Sequence, residues 1–194
     1  MAYGIMMNGG SGDAILKCLR DLEAQEITYV ELGVAAGETF AEVVKFLESL
    51  KVPFTCWAVD IEEGWSLNKE AISRMLTPNA QLSLVGSQKF LLNQEFESID
   101  FIWIDACHGK ECCKNDFLLS EACVKVGGYV GFHDTADFCQ NQDEQPHCKK
   151  PIQVLEALKE LDLLDGTRFG WKLYHEVVGD PKTDNGCMIF KRVK

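Results

Sequence analysis

No run of apolar residues in this 194-residue chain is long enough to cross a bilayer, which excludes a transmembrane helix. Lysines and arginines are scattered rather than gathered into a stripe, and 19 of them face 30 acidic residues, a net charge of -11. Phosphate backbones are held by basic stripes, so nucleic acid is disfavoured as a partner and a small molecule is expected. Met1 to Gly12 lacks the basic start and apolar stretch of an export signal, so the expectation is an unexported, cytoplasmic protein. Nine cysteines are then read as reduced thiols rather than as a disulfide framework. Cys-x-x-Cys is missing as well. Cys107, Cys112, Cys113, Cys139 and Cys148 with His147 therefore lack the spacing of a structural zinc site, despite their number. There is no internal repeat, and the dinucleotide fingerprint G-x-G-x-x-G is absent.

What is present is an ordinary globular composition, 46% hydrophobic and 25% charged, in a length that suits one domain over residues 1–194. Strand and helix patterns alternate along it. Strands are expected at Ile27–Leu32, Phe54–Val59, Gln81–Val85, Ile99–Ile104, Tyr129–Phe132, Phe169–Val178 and Cys187–Val193. Helices are expected at Ala14–Gln25 (capped by Ser11 or Asp13), Glu38–Leu50, Trp65–Leu76, Gln88–Asn93, Lys110–Val126, and from Pro151 to near Gly166. Gly127-Gly128 reads as a left-handed cap that ends the fifth of these helices. Alternation of this kind predicts an α/β fold, a Rossmann-like doubly wound sheet of seven strands with helices on both faces. The sheet should be mostly parallel, with Ile99–Ile104 central because it is the most apolar strand. The last two strands follow one another with no helix between them, so they should form an antiparallel pair at the edge. Thr135 to Lys150 is too long and polar for a routine connection and reads as a substrate loop, with residues 1–26 as a candidate lid.

Chemistry-bearing residues collect just past the strands. Glu31, Gly33 and Gly37 form E-x-G-x-x-x-G, a side-chain-free turn where backbone approaches a ligand. Asp60 ends the second strand, followed by Ile61, and its carboxylate suits either two ribose hydroxyls or the cap of the Glu62-Glu63-Gly64 turn. Gly86-Ser87-Gln88 follows the third strand. Asp105 and His108 follow the fourth, and His133-Asp134 the fifth, at the end of the sheet where open α/β folds bind ligands. Trp65 and Phe138 are either stacking partners or core rim.

This arrangement, from Ile27 onward, resembles class I S-adenosylmethionine-dependent methyltransferases of the small-molecule O-methyltransferase branch. Asp105, His108, Asp116, Gly127, Gly128, His133 and Asp134 match a pattern of antibiotic-sugar O-methyltransferases, I-D-x-x-H-x7-D followed by G-G-x4-H-D. The site is also similar to catechol O-methyltransferase-like enzymes. The resemblance implies that Glu31, Gly33, Gly37, Asp60, Ile61, Gly86, Ser87, Gln88 and Asp105 bind S-adenosylmethionine, with Ser87 and Gln88 toward adenine. It implies a divalent metal on Asp105, His133 and Asp134, where imidazole favours manganese, iron or zinc over magnesium. His108 or Lys110 is then the candidate base, and the acceptor a hydroxyl of a sugar or phenol. For His108, a hydrogen-bonded residue at a helix start is the other reading, and Asp116 is expected to organise a loop. Two other functions share the same sheet: an NAD(P)-dependent oxidoreductase, which the missing fingerprint disfavours, and a non-catalytic methyltransferase-like binding module. Oligomeric state leaves no mark in the sequence.

Overall fold

A computed structural model describes residues 10–61, 73, 76–142 and 151–194 of the chain. Strand β4, Ile99–Ile104, is buried at all six positions and is the middle strand of seven. Its one acid, Asp100, is accommodated because Oδ2 accepts the Thr28 N–H and the Lys125 ammonium, each at 2.8 Å. The strands β1 Ile27–Leu32, β2 Phe54–Asp60, β3 Ala80–Leu84 and β5 Val124–His133 run parallel to it. Then β7, Cys187–Arg192, inserts antiparallel between β5 and the edge strand β6, Trp171–Val177, giving the order β3-β2-β1-β4-β5-β7-β6. The expected antiparallel pair at the edge is therefore present.

Because side chains alternate across a strand, neighbouring residues enter opposite cores. Tyr29, Phe101 and Trp103 pack with Ile15, Leu19, Phe40 and Leu47 of α1 (Ser11–Arg20) and α2 (Glu38–Leu50). On the other face Val30, Ile102 and Ile104 meet α3 (Ser87–Leu91), α4 (Lys110–Cys123) and α5 (Val154–Glu160) through Phe90, Phe117 and Leu158. Each large apolar side chain buried in this way contributes roughly 1.5–3 kcal/mol, so both faces are firmly covered. No helix of the described residues is long and apolar enough to cross a membrane. Cys18, Cys56, Cys123, Cys139 and Cys187 are buried free thiols.

Several expected boundaries move. The first helix begins at Ser11, with Gly10 as N-cap and no side-chain cap, and it stops at Arg20 rather than Gln25. Ser11 is drawn off by a stronger acceptor: its N–H and its hydroxyl both bond the Asp184 carboxylate, at 2.5 and 2.8 Å. Gly127-Gly128 does not cap α4, which ends at Cys123 with Val124 already extended. Instead the pair lies inside β5, where pairing jumps from Ile99↔Val124 to Phe101↔Tyr129. Gly127 takes a φ of 90°, and a Cβ on Gly128 would sit 2.6 Å from the Asp100 carbonyl oxygen, so these glycines serve a strand irregularity. The last expected helix is shorter too, with Gln153 as N-cap and Gly166 at the end of the turns that follow. The segment Trp65–Leu76, apart from Ser73 and Leu76, lies outside the described residues, as do residues 143–150 of the expected substrate loop and residues 1–9 of the expected lid.

Candidate active site

At the C-terminal edge of the parallel strands the chain ends are stitched together. Gly33 N–H bonds the Val59 carbonyl and Asp105 N–H bonds the Leu32 carbonyl, both at 2.8 Å. Gly33 holds a φ of 83°, and a Cβ there would lie 2.3 Å from the Asp105 carbonyl oxygen. Glycine is required because the exit of β4 passes over it, and this brings Asp105 onto the glycine turn. Gly37, also left-handed with a φ of 76°, is the N-cap of α2. Asp60 clasps the same turn: Oδ2 accepts the N–H groups of Val34 and Ala35 at 3.0 and 3.1 Å, while Oδ1 accepts that of Ile61 at 2.7 Å. Three of roughly four acceptor sites are thereby used and one is left for a ligand. Neither reading of Asp60 from sequence anticipated this clasp. Glu31 is buried rather than presented at the edge, accepts the Tyr29 hydroxyl at 2.8 Å, and is pushed well above the usual carboxyl range by burial.

Beside this turn, Ile61 is 40% exposed. A Cβ on Gly86 would meet nothing within 4 Å, so the backbone there borders open space. Ser87 and Gln88 are half-buried at the start of α3, and the Ser87 hydroxyl donates to Asp116 Oδ1 at 2.8 Å.

Past β4 and β5 lies a tight cluster of acids and histidines. His108 Nε2 is 2.9 Å from Asp134 Oδ2 and 3.2 Å from Asp105 Oδ1, and His133 Nδ1 is 3.2 Å from the same Asp105 oxygen. Burial opposes charge on His108, but the two carboxylates prevail and lift it to about 10. His133 is likewise raised well above its ordinary value against its burial, chiefly by Asp105. Burial would push Asp105 up, yet His133 and His108 hold it well below the usual carboxylate range. These contacts favour the protonated form of His108, the opposite of what a general base needs, and a cation held by the two carboxylates would compete with that proton. Asp134 sits at a φ of 56°, a conformation rare for a residue other than glycine and concentrated at functional sites.

Among the described residues, the groups close enough to hold one metal ion are Asp105, His108 and Asp134. The expected set had His133 in place of His108. His133 instead bonds Asp105 through Nδ1 and turns Nε2 toward Asp184 Oδ1, 3.9 Å away. Lys110 does not join the cluster. Its ammonium bonds Glu156 and Glu160 on α5 at 2.9 and 2.8 Å, contacts that raise it further above the ordinary lysine range and remove it from proton abstraction at neutral pH. Phe138 is partly buried and packs against the core, as rim. Trp65, His147 and Cys148 lie outside the described residues.

Three contributors escaped the sequence reading. Asn185 Nδ2 donates to Asp134 Oδ1 at 2.7 Å, Asp184 faces His133, and Ser11 anchors Asp184. Asp184-Asn185-Gly186 reads locally as turn chemistry, which it also is, since Asp184 Oδ1 accepts the Gly186 N–H at 2.7 Å.

Comparison with known proteins agrees with this fold. A family model described as a methyltransferase domain matches residues 30–135, from β1 to just past Asp134. No curated protein matches the chain. Among solved structures, the chain is similar to the O-methyltransferase TomG of Streptomyces achromogenes, involved in tomaymycin synthesis and solved with S-adenosylmethionine. The identity is 11%, over 97% of this chain and 82% of TomG, with a TM-score of 0.68. It is also similar to an O-methyltransferase of Bacillus cereus in complex with S-adenosylhomocysteine, at 14% identity over 99% of this chain and 84% of that one, with a TM-score of 0.67. At such identities the likeness establishes a shared fold. With the family match covering more than half of its residues, the chain belongs to the methyltransferase-domain family and has the Rossmann-like fold of the class I enzymes.

Proposed function

We propose that the protein is an S-adenosylmethionine-dependent O-methyltransferase acting on a hydroxyl of a small molecule of sugar or phenol type, with a divalent cation on Asp105, His108 and Asp134. The observation that carries this reading is the convergence at one sheet edge of a glycine turn, the Asp60 clasp and the buried acid–histidine cluster. Asp105 belongs to both halves, since its backbone covers Gly33 and its side chain binds both histidines.

The residues suit both groups. Asp60 keeps one acceptor site for a ribose hydroxyl, the exposed face of Ile61 offers apolar contact to a purine, and Gly86 opens the space beside it. S-adenosylmethionine supplies an activated methyl group on a sulfonium, and the three carboxylates of Asp105, Asp134 and Asp184 around two histidines favour cations nearby. His108 Nε2 lies 2.9 and 3.2 Å from its two carboxylate oxygens. The ligand atoms of Asp105, His108 and Asp134 all lie within 4.8 Å of one another, close enough to hold one ion. A mixed nitrogen and oxygen set favours manganese, iron or zinc over magnesium. Held by these residues, such an ion would lower the pKa of an acceptor hydroxyl. Asn185 and His133 orient the two carboxylates, and the Asp105 side chain, 21% exposed, is the member of the cluster that faces incoming acceptor.

Calorimetry with S-adenosylmethionine and S-adenosylhomocysteine, each with magnesium, manganese or zinc, is the direct test. Micromolar binding, about -8 kcal/mol, is expected. Absence of heat under every metal rejects the cofactor. Turnover on a panel of hydroxylated compounds should then fall in Asp134→Ala together with its metal dependence, whereas Asp60→Ala should chiefly weaken cofactor binding.

A further inference from the structure

The turn Asp184-Asn185-Gly186, between β6 and β7, has anchors of its own. Ala136 N–H donates to the Asn185 carbonyl at 2.8 Å and Thr135 N–H to that of Gly186 at 3.4 Å. Gly186 holds a φ of 79°, and a Cβ there would lie 2.7 Å from the Val177 carbonyl oxygen and 3.2 Å from the Ala136 nitrogen, so the turn and the segment after β5 meet at backbone distance. Ser11 fixes the turn from another side through Asp184. The Asn185 side chain adds one bond to these, and that bond acts on a single group: Nδ2 donates to Asp134 Oδ1 at 2.7 Å. A carboxylate only accepts, so the amide must present its nitrogen there and the direction of the bond is fixed.

The buried carboxylate of Asp134 is thereby split between two sets of partners. Oδ1 meets the Asn185 amide and, at 3.4 Å, His133 Nδ1, whereas Oδ2 is the oxygen 2.9 Å from His108 Nε2. Turning the carboxylate about its last torsion breaks the amide bond, so Oδ1 stays tied and Oδ2 stays beside His108. An amide does this without cancelling charge. Lysine or arginine at 185 would hold Oδ1 as firmly and neutralise the acid, while asparagine leaves its whole negative charge to a cation. We propose that Asn185 is a positioning residue that makes Asp134 a one-oxygen ligand, so that the Asp105, His108 and Asp134 site takes compact cations such as manganese or zinc and discriminates against calcium. Calcium gathers about six to eight oxygens, often both from one carboxylate, and the tied Oδ1 denies it the second. This proposal rests on the reading that a divalent cation is held by these three residues.

The test is calorimetry of manganese chloride and of calcium chloride into the chelator-treated full chain, with no cofactor or acceptor present. Wild type is expected to bind manganese more tightly than calcium by roughly a hundredfold. Asn185→Leu keeps the size of the side chain and removes its donor, and Asn185→Ala removes the side chain but not the backbone bond from Ala136. Each should weaken manganese by about tenfold and narrow the manganese-to-calcium ratio at least as much, because calcium can then take both oxygens of Asp134. Ser11→Ala loosens the same turn without touching the bond from Asn185 to Asp134, so it should lower the melting temperature and leave the ratio as in wild type. An unchanged ratio in either Asn185 variant would overturn the proposal. A ratio lost equally in Ser11→Ala would overturn it too, since the effect would then belong to the seat of the turn, and so would equal binding of the two ions by wild type. Failure of wild type to bind any cation rejects the metal reading itself, an outcome distinct from intact binding with an unchanged ratio in the variants.

Discussion

Gly33 and Gly86 both lie just past a strand, and they differ in what a methyl group would meet. At Gly33 a side chain combines a left-handed φ with a contact 2.3 Å from the Asp105 carbonyl oxygen. Gly33→Ala is expected to lose roughly 2–5 kcal/mol, the sum of backbone strain and overpacking. At Gly86 the φ is -61° and space is open, so Gly86→Ala should leave stability within about 0.5 kcal/mol while weakening cofactor binding. Urea melts of both variants check the contrast, and equal losses would contradict it. Asp116 gives a pH signature at the same scale. Burial lifts its carboxyl from 3.8 to about 6 against the opposing Ser87 bond, so the folded state holds the proton more tightly than the unfolded chain. The resulting penalty is present in full above pH 6 and disappears as pH falls to about 4, a span worth about 3 kcal/mol. Asp116→Asn should therefore be more stable than wild type at pH 7.5, and the difference should narrow steadily toward pH 4. A difference independent of pH would show that Asp116 is not buried as a charge.

Between elements, hydrogen bonds decide which helix end serves which strand. The N–H and hydroxyl of Ser11 at the start of α1 hold Asp184 in the β6–β7 connection, and Asn185 beside it reaches Asp134 after β5. The start of the first helix thus braces the far side of the candidate active site through 173 residues of sequence separation. α4 and α5 are joined on the outside by Lys110 and Lys114, which share Glu160, with Glu156 on Lys110. Exposed networks of this kind are weak and screened by salt. Lys110→Gln is expected to lower the melting temperature slightly, by an amount that shrinks in high salt, and to leave turnover and its pH profile unchanged. Loss of turnover on that substitution would return Lys110 to the candidate bases.

For the molecule as a whole, buried charge and ligand uptake are linked. Three carboxylates crowd two histidines under a net charge of -11, so a cation that binds the folded state should stabilise it. At a hundredfold excess over its Kd the gain is about 2.7 kcal/mol. Thermal melts of chelator-treated protein should rise on adding manganese or zinc, and Asp134→Ala should abolish the rise. The rise should also grow with pH toward about 10 and weaken steadily as pH falls below it, because His108 must lose its proton to ligate and its carboxylate neighbours lift it to about 10. Melting points insensitive to every metal would remove the ion from the mechanism.

The repeat of strand and helix, the central place of β4 and the antiparallel end were legible because periodicity and burial are local properties that each segment carries by itself. Asp105 and Asp134 were legible as site candidates because each directly follows a strand, and Ser87 because it lies three residues past one, and strand ends in a parallel sheet share one edge. The charge on His108, the diversion of Lys110 to α5, the use of Gly127-Gly128 inside β5 and the entry of Ser11, Asp184 and Asn185 were not. Each depends on a partner distant in sequence, such as the Asp134 beside His108, the Asp100 carbonyl under Gly128 or the Asp184 that captures Ser11. Gly33 shows both halves. Its sequence context marked it as a place of close approach, and only the packed sheet showed that what approaches is the backbone of Asp105, because that contact exists only once β1 and β4 lie side by side.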